Sequence, residues 1–242
     1  MRMPLLALLL AFEPGFGLAS DATALARPIV LELYTSEGCS SCPPAEALAV
    51  QLAPRKDLLV LAFHVDYWDD LGWRDRFSLP AATERQRRWA RGNDTWEVFT
   101  PQLIVDGRQS MVGSDAPAVT AALQAARMQQ AHVTARSFTA TISAGQLLVD
   151  SAAAPTKTAL ELYVIAYLPQ ASTAVPRGEN AGRTLFEANA VRSITRLGSL
   201  ADGAVHLKIA TSSFPGDASR IAVLLQDART GAIEGAQALA LR

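Results

Sequence analysis

Two cysteines stand in the 242 residues, three positions apart in Cys39-Ser-Ser-Cys42, and their setting constrains this chain more than any other feature. Immediately before them, Pro28 to Tyr34 (PIVLELY) is a near-continuous apolar run of strand length, the pattern of a strand buried on both faces. Immediately after them, Pro43 to Ala53 (PPAEALAVQLA) puts Ala45, Leu48, Ala49 and Leu52 at helical spacing, with its two prolines tolerated in the first turn. The pair therefore occupies a strand-to-helix turn. A bridge across so small a loop restrains the unfolded chain less than a long-range one, so chemistry is the expected reason for it rather than stapling. A sulfur at a helix N-terminus has its anion stabilised by the dipole and by unpaired backbone N–H groups. Cys39 is thus the expected nucleophile, accessible at the turn, and Cys42, one turn deeper, the resolving thiol. Because Pro43 and Pro44 carry no N–H, the donors for a Cys39 thiolate are chiefly those of Ser40, Ser41 and Cys42.

The first stretch, MRMPLLALLLAFEPGFGLAS, places Arg2 ahead of an apolar run from Pro4 to Phe12, with small residues following through Ala26. That is the layout of a secretory signal peptide, and the run is well short of the roughly 20 residues a membrane span needs. Residues 1–26 are therefore set apart from the fold, and the expected location is periplasmic or secreted. No membrane span is expected after their removal. The net charge of -1 offers no basic footprint, so nucleic acid is not an expected partner.

Leu58 to Val65 (LLVLAFHV) is a second buried strand, completing a β-α-β unit with the strand and helix around the cysteines. Asp66 to Phe99 reads as an insertion, carrying DYWDDLGW and an amphipathic, Arg-rich helical run from Thr83 to Arg91. Two short apolar runs joined by Asp106-Gly107 then read as a hairpin, and Asp115 and Pro117 open a helix through about Gln129. This order, βαβ, insertion, ββα, predicts a thioredoxin-like domain over residues 27–131. Beyond it the pattern changes to short alternating stretches: Ser137–Ser143, Gln146–Ala152, Thr158–Tyr167, Leu185–Thr195, Ala204–Ala210, Ile221–Gln226 and Ala232–Leu241. Strands at that spacing predict a β-sandwich-like domain over 132–242. The expected fold is an α/β thioredoxin-like N-terminal domain plus an all-β sandwich-like C-terminal domain.

Around the cysteines, Thr100-Pro101 precedes a strand at the place where a thioredoxin-like fold sets a cis-proline against its cysteine pair, so Pro101 joins the catalytic candidates and Thr100 the supporting ones. His64 ends the second strand and is followed by Asp66 and Trp68, on the sheet edge that carries the cysteine turn; His64 and Asp66 could move protons during exchange, or form a structural cluster. Trp68 could line a recognition surface or close a small core. In the second half, Arg177-Gly-Glu-Asn-Ala-Gly-Arg183 is a glycine-containing loop between strands, and its Arg177, Glu179, Asn180 and Arg183 make it the candidate for docking onto the cysteine edge.

Three uses of the pair stay open: thiol-disulfide exchange with a thiol or disulfide protein partner, Cu(I) or partner binding by two thiolates without turnover, and a permanently closed disulfide. Covalent haem needs C-x-x-C-H, whereas Cys42 is followed by Pro43. Structural zinc needs four ligands, and only His64, His132 and His206 accompany the cysteines. No cofactor and no metal is expected for the exchange reading.

The pieces LELYTSEGCSSCPPAEAL, FHVDYWDDLGWRDRFS, TERQRRWA, FTPQLIVDGRQSMVGSD and RGENAGRTLFEANAVR, spanning about 29–192, resemble a bacterial family of exported thioredoxin-like proteins known as a domain of unknown function. Its marks here are CSSCPP, HVDYWDDLGW, TPQ and RGENAGRT, with Phe99 where the resemblance leads one to expect tyrosine. The resemblance implies a thioredoxin-like fold, export, and a CxxC active-site arrangement on Cys39, Cys42 and Pro101. It implies no substrate.

Overall fold

Strand β1 (Ile29–Thr35) is buried along its whole length, as is β2 (Leu58–His64), and the two lie parallel in register from Ile29↔Leu58 to Thr35↔His64. Parallel neighbours need a crossover, and helix α1 (Pro43–Leu52) supplies it. The structure, a computed structural model, describes residues 27–132, 138–151, 159–199 and 205–241. Residues 1–26, expected to form a signal peptide, and residues 133–137, where the two expected domains adjoin, lie outside the described residues.

Helix α2 (Pro80–Gly92) follows β2, then β3 (Gln102–Val105) and β4 (Gln109–Val112) form the hairpin read from Asp106-Gly107. Both turn residues have positive φ, 51° and 66°, the conformation that Asp and Gly tolerate best. Helix α3 (Ala116–His132) is capped by Asp115, whose Oδ1 accepts from Ala118 N at 3.0 Å. After it come β5 (Phe138–Ser143), β6 (Gln146–Ser151), β7 (Leu160–Ala174), β8 (Thr184–Ser199), β9 (Val205–Ala210), β10 (Arg220–Asp227) and β11 (Ile233–Ala240).

These strands do not build a fold of their own. Among the described residues an eight-stranded mixed sheet runs β11-β10-β7-β8-β2-β1-β3-β4, with β8 joining β2 in parallel at Ala62↔Ala190, and β5-β6-β9 form a separate three-stranded sheet. The expected thioredoxin-like domain plus separate β-sandwich is overturned by this continuity: the described residues form a large, mostly β mixed sheet with three α-helices. Period-two alternation explains how one sheet serves both halves. Val30 and Tyr34 of β1, Leu61 and Phe63 of β2, Tyr163 and Ile165 of β7 and Leu224 of β10 point to one face and share one core under α2. On the other face, Leu31, Leu33, Leu58 and Val60 pack under α1 and α3, while Leu162, Val164, Ile221 and Val223 pack against the three-stranded sheet. The β3–β4 turn is also tied to the C-terminal strands: Ile233 N donates to Asp106 O at 2.9 Å, and a Cβ on Gly107 would lie 2.0 Å from Gly231 O. Backbone approaches backbone there, which only glycine permits.

Candidate cysteine site

The chain leaves β1 at Thr35, turns through Ser36 to Cys42 and enters α1 at Pro43. The turn holds itself by Cys39 N to Ser36 O at 3.0 Å, Gly38 N to Ser36 Oγ at 3.0 Å and Cys42 N to Cys39 O at 3.2 Å. Cys39 and Cys42 are joined in a disulfide, with Cα atoms 5.4 Å apart. Accessibility departs from the expectation for Cys39: both cysteines are 0% exposed, and only Ser40 and Ser41 of the motif face solvent. A strand-to-helix turn by itself is open, and it is the segments from elsewhere in the chain that cover it.

Three such segments close on the turn. Thr100-Pro101 is a cis peptide, and the Thr100 carbonyl accepts from Ser41 Oγ at 3.5 Å. Trp68 stacks its Cβ within 3.2 Å of where a Gly38 Cβ would lie, and its indole N–H donates to Thr100 Oγ1 at 2.9 Å. The β7–β8 loop supplies the third. Asn180, 1% exposed, donates through Nδ2 to the carbonyls of Glu37 at 2.9 Å and Cys39 at 3.0 Å, and Glu179 Oε2 accepts from Ser40 N at 3.3 Å. Arg183 braces Asn180 by donating to its Oδ1 at 3.2 Å, while Arg177 is exposed. The loop backbone rests on the 72–73 segment: Gly178 has φ 82°, and a Cβ there would lie 2.9 Å from Trp73 Cβ.

Beneath the turn is a buried group of ionisable side chains. His64 places Nδ1 2.7 Å from Asp75 Oδ2 and Nε2 3.4 Å from Glu187 Oε2, with all three side chains out of solvent. Burial alone would depress the His64 pKa, but Asp75 and Glu187 outweigh it and hold the imidazole well above its usual range. Burial would likewise raise Asp75; the His64 charge, together with N–H donors from Glu37 and Phe77, keeps it below the usual carboxylate range. Glu37, taking Trp73 Nε1 at 2.8 Å, is pushed up by burial and by Asp75. Glu46, on α1 one turn beyond Cys42, takes the Thr35 hydroxyl at 2.7 Å and is pushed up to about 8 by burial and the nearby Glu187.

Of the residues singled out from sequence, Cys39, Cys42, Thr100, Trp68, Glu179, Asn180 and Arg183 come together at the turn, and His64 lies in the buried group. Asp66 does not join His64. Its Oδ1 accepts from Thr83 Oγ1 at 2.5 Å, at the start of α2, and Asp75 takes the place beside the imidazole. Glu37, Glu46, Asp75 and Glu187 went unread. A signal existed for Glu46, which falls on the apolar helical face beside Ala45 and Ala49, and for Glu187, an acid within a buried strand; Asp75, in irregular chain, had none. Among the described residues no group of three His, Cys, Asp or Glu is arranged to hold a metal ion, and no helix is long and apolar enough to cross a membrane.

No curated protein matches the chain. A crystal structure of a protein from Agrobacterium tumefaciens is similar to it, at 26% identity and a TM-score of 0.76, over 90% of this chain and 96% of that one. A family model described as "Protein of unknown function (DUF1223)" matches residues 30–226. That span holds the cysteine turn and, apart from β11 and single end residues of β1 and β10, the eight-stranded sheet, and the chain belongs to this family.

Proposed function

We propose that the protein is an exported thiol-disulfide exchange protein, periplasmic or secreted, whose Cys39–Cys42 bond is made and broken against a thiol or disulfide protein partner. The observation that carries this reading is the disulfide's seat: at the N-terminus of α1, one helical turn from a buried carboxyl, Glu46, that keeps its proton to about pH 8. In reduction, a partner thiolate attacks Cys39 Sγ, the Cys39–Cys42 bond breaks, and Cys42 leaves as a thiolate that takes a proton, for which Glu46 is the nearby source. The partner's second thiol then displaces Cys39, leaving two thiols here and a disulfide on the partner. Run in reverse, Cys39 attacks and Cys42 resolves.

Attack needs an uncovered sulfur, so exchange on this reading includes movement of the Asn180 loop. Insulin reduction or oxidised-peptide turnover by the wild type and by Cys39→Ser tests the proposal; at least a hundredfold loss is expected in the variant, and equal rates remove the reading. Full burial of both sulfurs favours one alternative, a permanently closed disulfide. A Cys39–Cys42 reduction potential below about -300 mV would select it.

A further inference from the structure

The Arg-rich run of α2 takes no part in the cysteine site. Arg85 and Arg88 instead face the sheet, and with Trp89 they wall a cavity of about 210 Å³ bounded also by β7, β8 and the β10–β11 turn. Arg85 is built in: its side chain is 8% exposed, it donates to Glu32 and, at 2.8 Å, to Gln226 Oε1, and its guanidinium lies 5.0 Å over the Tyr163 ring. Glu161, with its side chain 2% exposed, is shared by two cations. Arg88 Nη2 donates to its Oε1 at 2.7 Å, Arg196 Nη2 donates to the same oxygen, and the Tyr163 hydroxyl donates to Oε2 at 3.0 Å. Arg229 lines the cavity too, giving Nη1 to Gly92 O at 3.3 Å.

One carboxylate therefore serves two guanidiniums, each with five N–H donors in a planar fork. Arg85, Arg88, Arg196 and Arg229 line the cavity against Glu32 and Glu84, and Glu84 turns outward to pair with Arg91. Trp89, Ile194 and Ala81 give the wall an apolar patch, and Tyr163 and Gln226 line it beside Arg85. We propose that this cavity binds a small monocarboxylate with a compact apolar body, the carboxylate meeting the arginine forks and the body lying against Trp89 and Ile194. The fork geometry matches a planar carboxylate. The volume is below what a nucleotide or peptide needs, and the apolar patch of Trp89 and Ile194 offers the body of an organic carboxylate contacts that inorganic phosphate cannot make.

The test is calorimetric titration of the full chain with benzoate and butyrate, against phosphate and chloride at matched ionic strength. Saturable one-to-one binding of at least one carboxylate is expected, with phosphate at least tenfold weaker. Arg196→Met, at a half-exposed side chain, is expected to weaken binding tenfold or more, and Arg127→Met on α3 to leave it unchanged. Should circular dichroism show Arg196→Met unfolded, Arg196→Lys, which keeps the charge and loses the fork, is expected to weaken binding severalfold. Absence of saturable carboxylate binding, tighter binding of phosphate, or a folded Arg196 variant with wild-type affinity overturns the proposal.

Discussion

Glu46 couples the cysteine turn to pH in a direction that follows from its burial. Its carboxyl has a folded-state pKa raised to about 8 from an ordinary value of 4.5, so between those values the folded chain holds a proton that the unfolded chain has released. Stability contributed by the protonated form is complete below about pH 4.5 and declines as pH rises toward 8, with a slope of up to about 1.4 kcal/mol per pH unit from this one group. Glu46→Gln removes the titration. Its denaturant midpoint is expected to fall less than that of the wild type between pH 5 and pH 8, as followed by chemical unfolding at several pH values; parallel curves for the two proteins would refute the assignment. If Glu46 also serves Cys42, the same variant flattens the pH profile of exchange near pH 8. His64 acts in the opposite sense to an ordinary buried histidine, because Asp75 and Glu187 keep it charged where burial alone would neutralise it.

The elements around the turn divide into those that build it and those that cover it. Strand β1 and helix α1 build it, and both were legible, since an apolar run followed by helical spacing is a local signal. Of the three covering segments, the β7–β8 loop is anchored by Asn180. Asn180→Ala takes this donor from the Glu37 carbonyl and leaves the Cys39 carbonyl with the Cys42 N–H in place of two donors, at a cost of about 1–3 kcal/mol. Local opening is eased by a similar amount, so the disulfide is expected to be reduced by dithiothreitol roughly tenfold faster in the variant, read by alkylation and intact mass. An unchanged reduction rate would show that the loop does not control access. The docking loop was visible as a polar, glycine-containing segment, but burial of the sulfurs was not. Accessibility depends on what distant chain does above the turn, and no spacing within residues 36–44 encodes that. The pairing of His64 was missed for the same reason: Asp66 is nearer in sequence, whereas the geometry of the irregular segment brings Asp75 to the ring.

Across the whole molecule, the shared face of the eight-stranded sheet makes the N-terminal elements depend on the C-terminal ones. Leu61 and Phe63 are covered by a cluster that includes Tyr163, Ile165, Val191 and Leu224, and each large apolar side chain so buried contributes about 1.5–3 kcal/mol. Residues 27–131 expressed alone are therefore expected to lack a cooperative thermal transition and to give poorly dispersed amide resonances. A sharp transition in that fragment would show that the β1–β4 unit is self-sufficient. What the sequence determined by itself was local: the strand periods, the three helices, the Asp106-Gly107 turn and the cysteine turn, because each is written in neighbouring residues. Only the tertiary structure decided that β8 docks beside β2, that one sheet replaces two folds, and that the disulfide is enclosed over buried acids. An open strand edge accepts any strand of compatible alternation, and the choice among them is made by the side chains that two distant segments bury together.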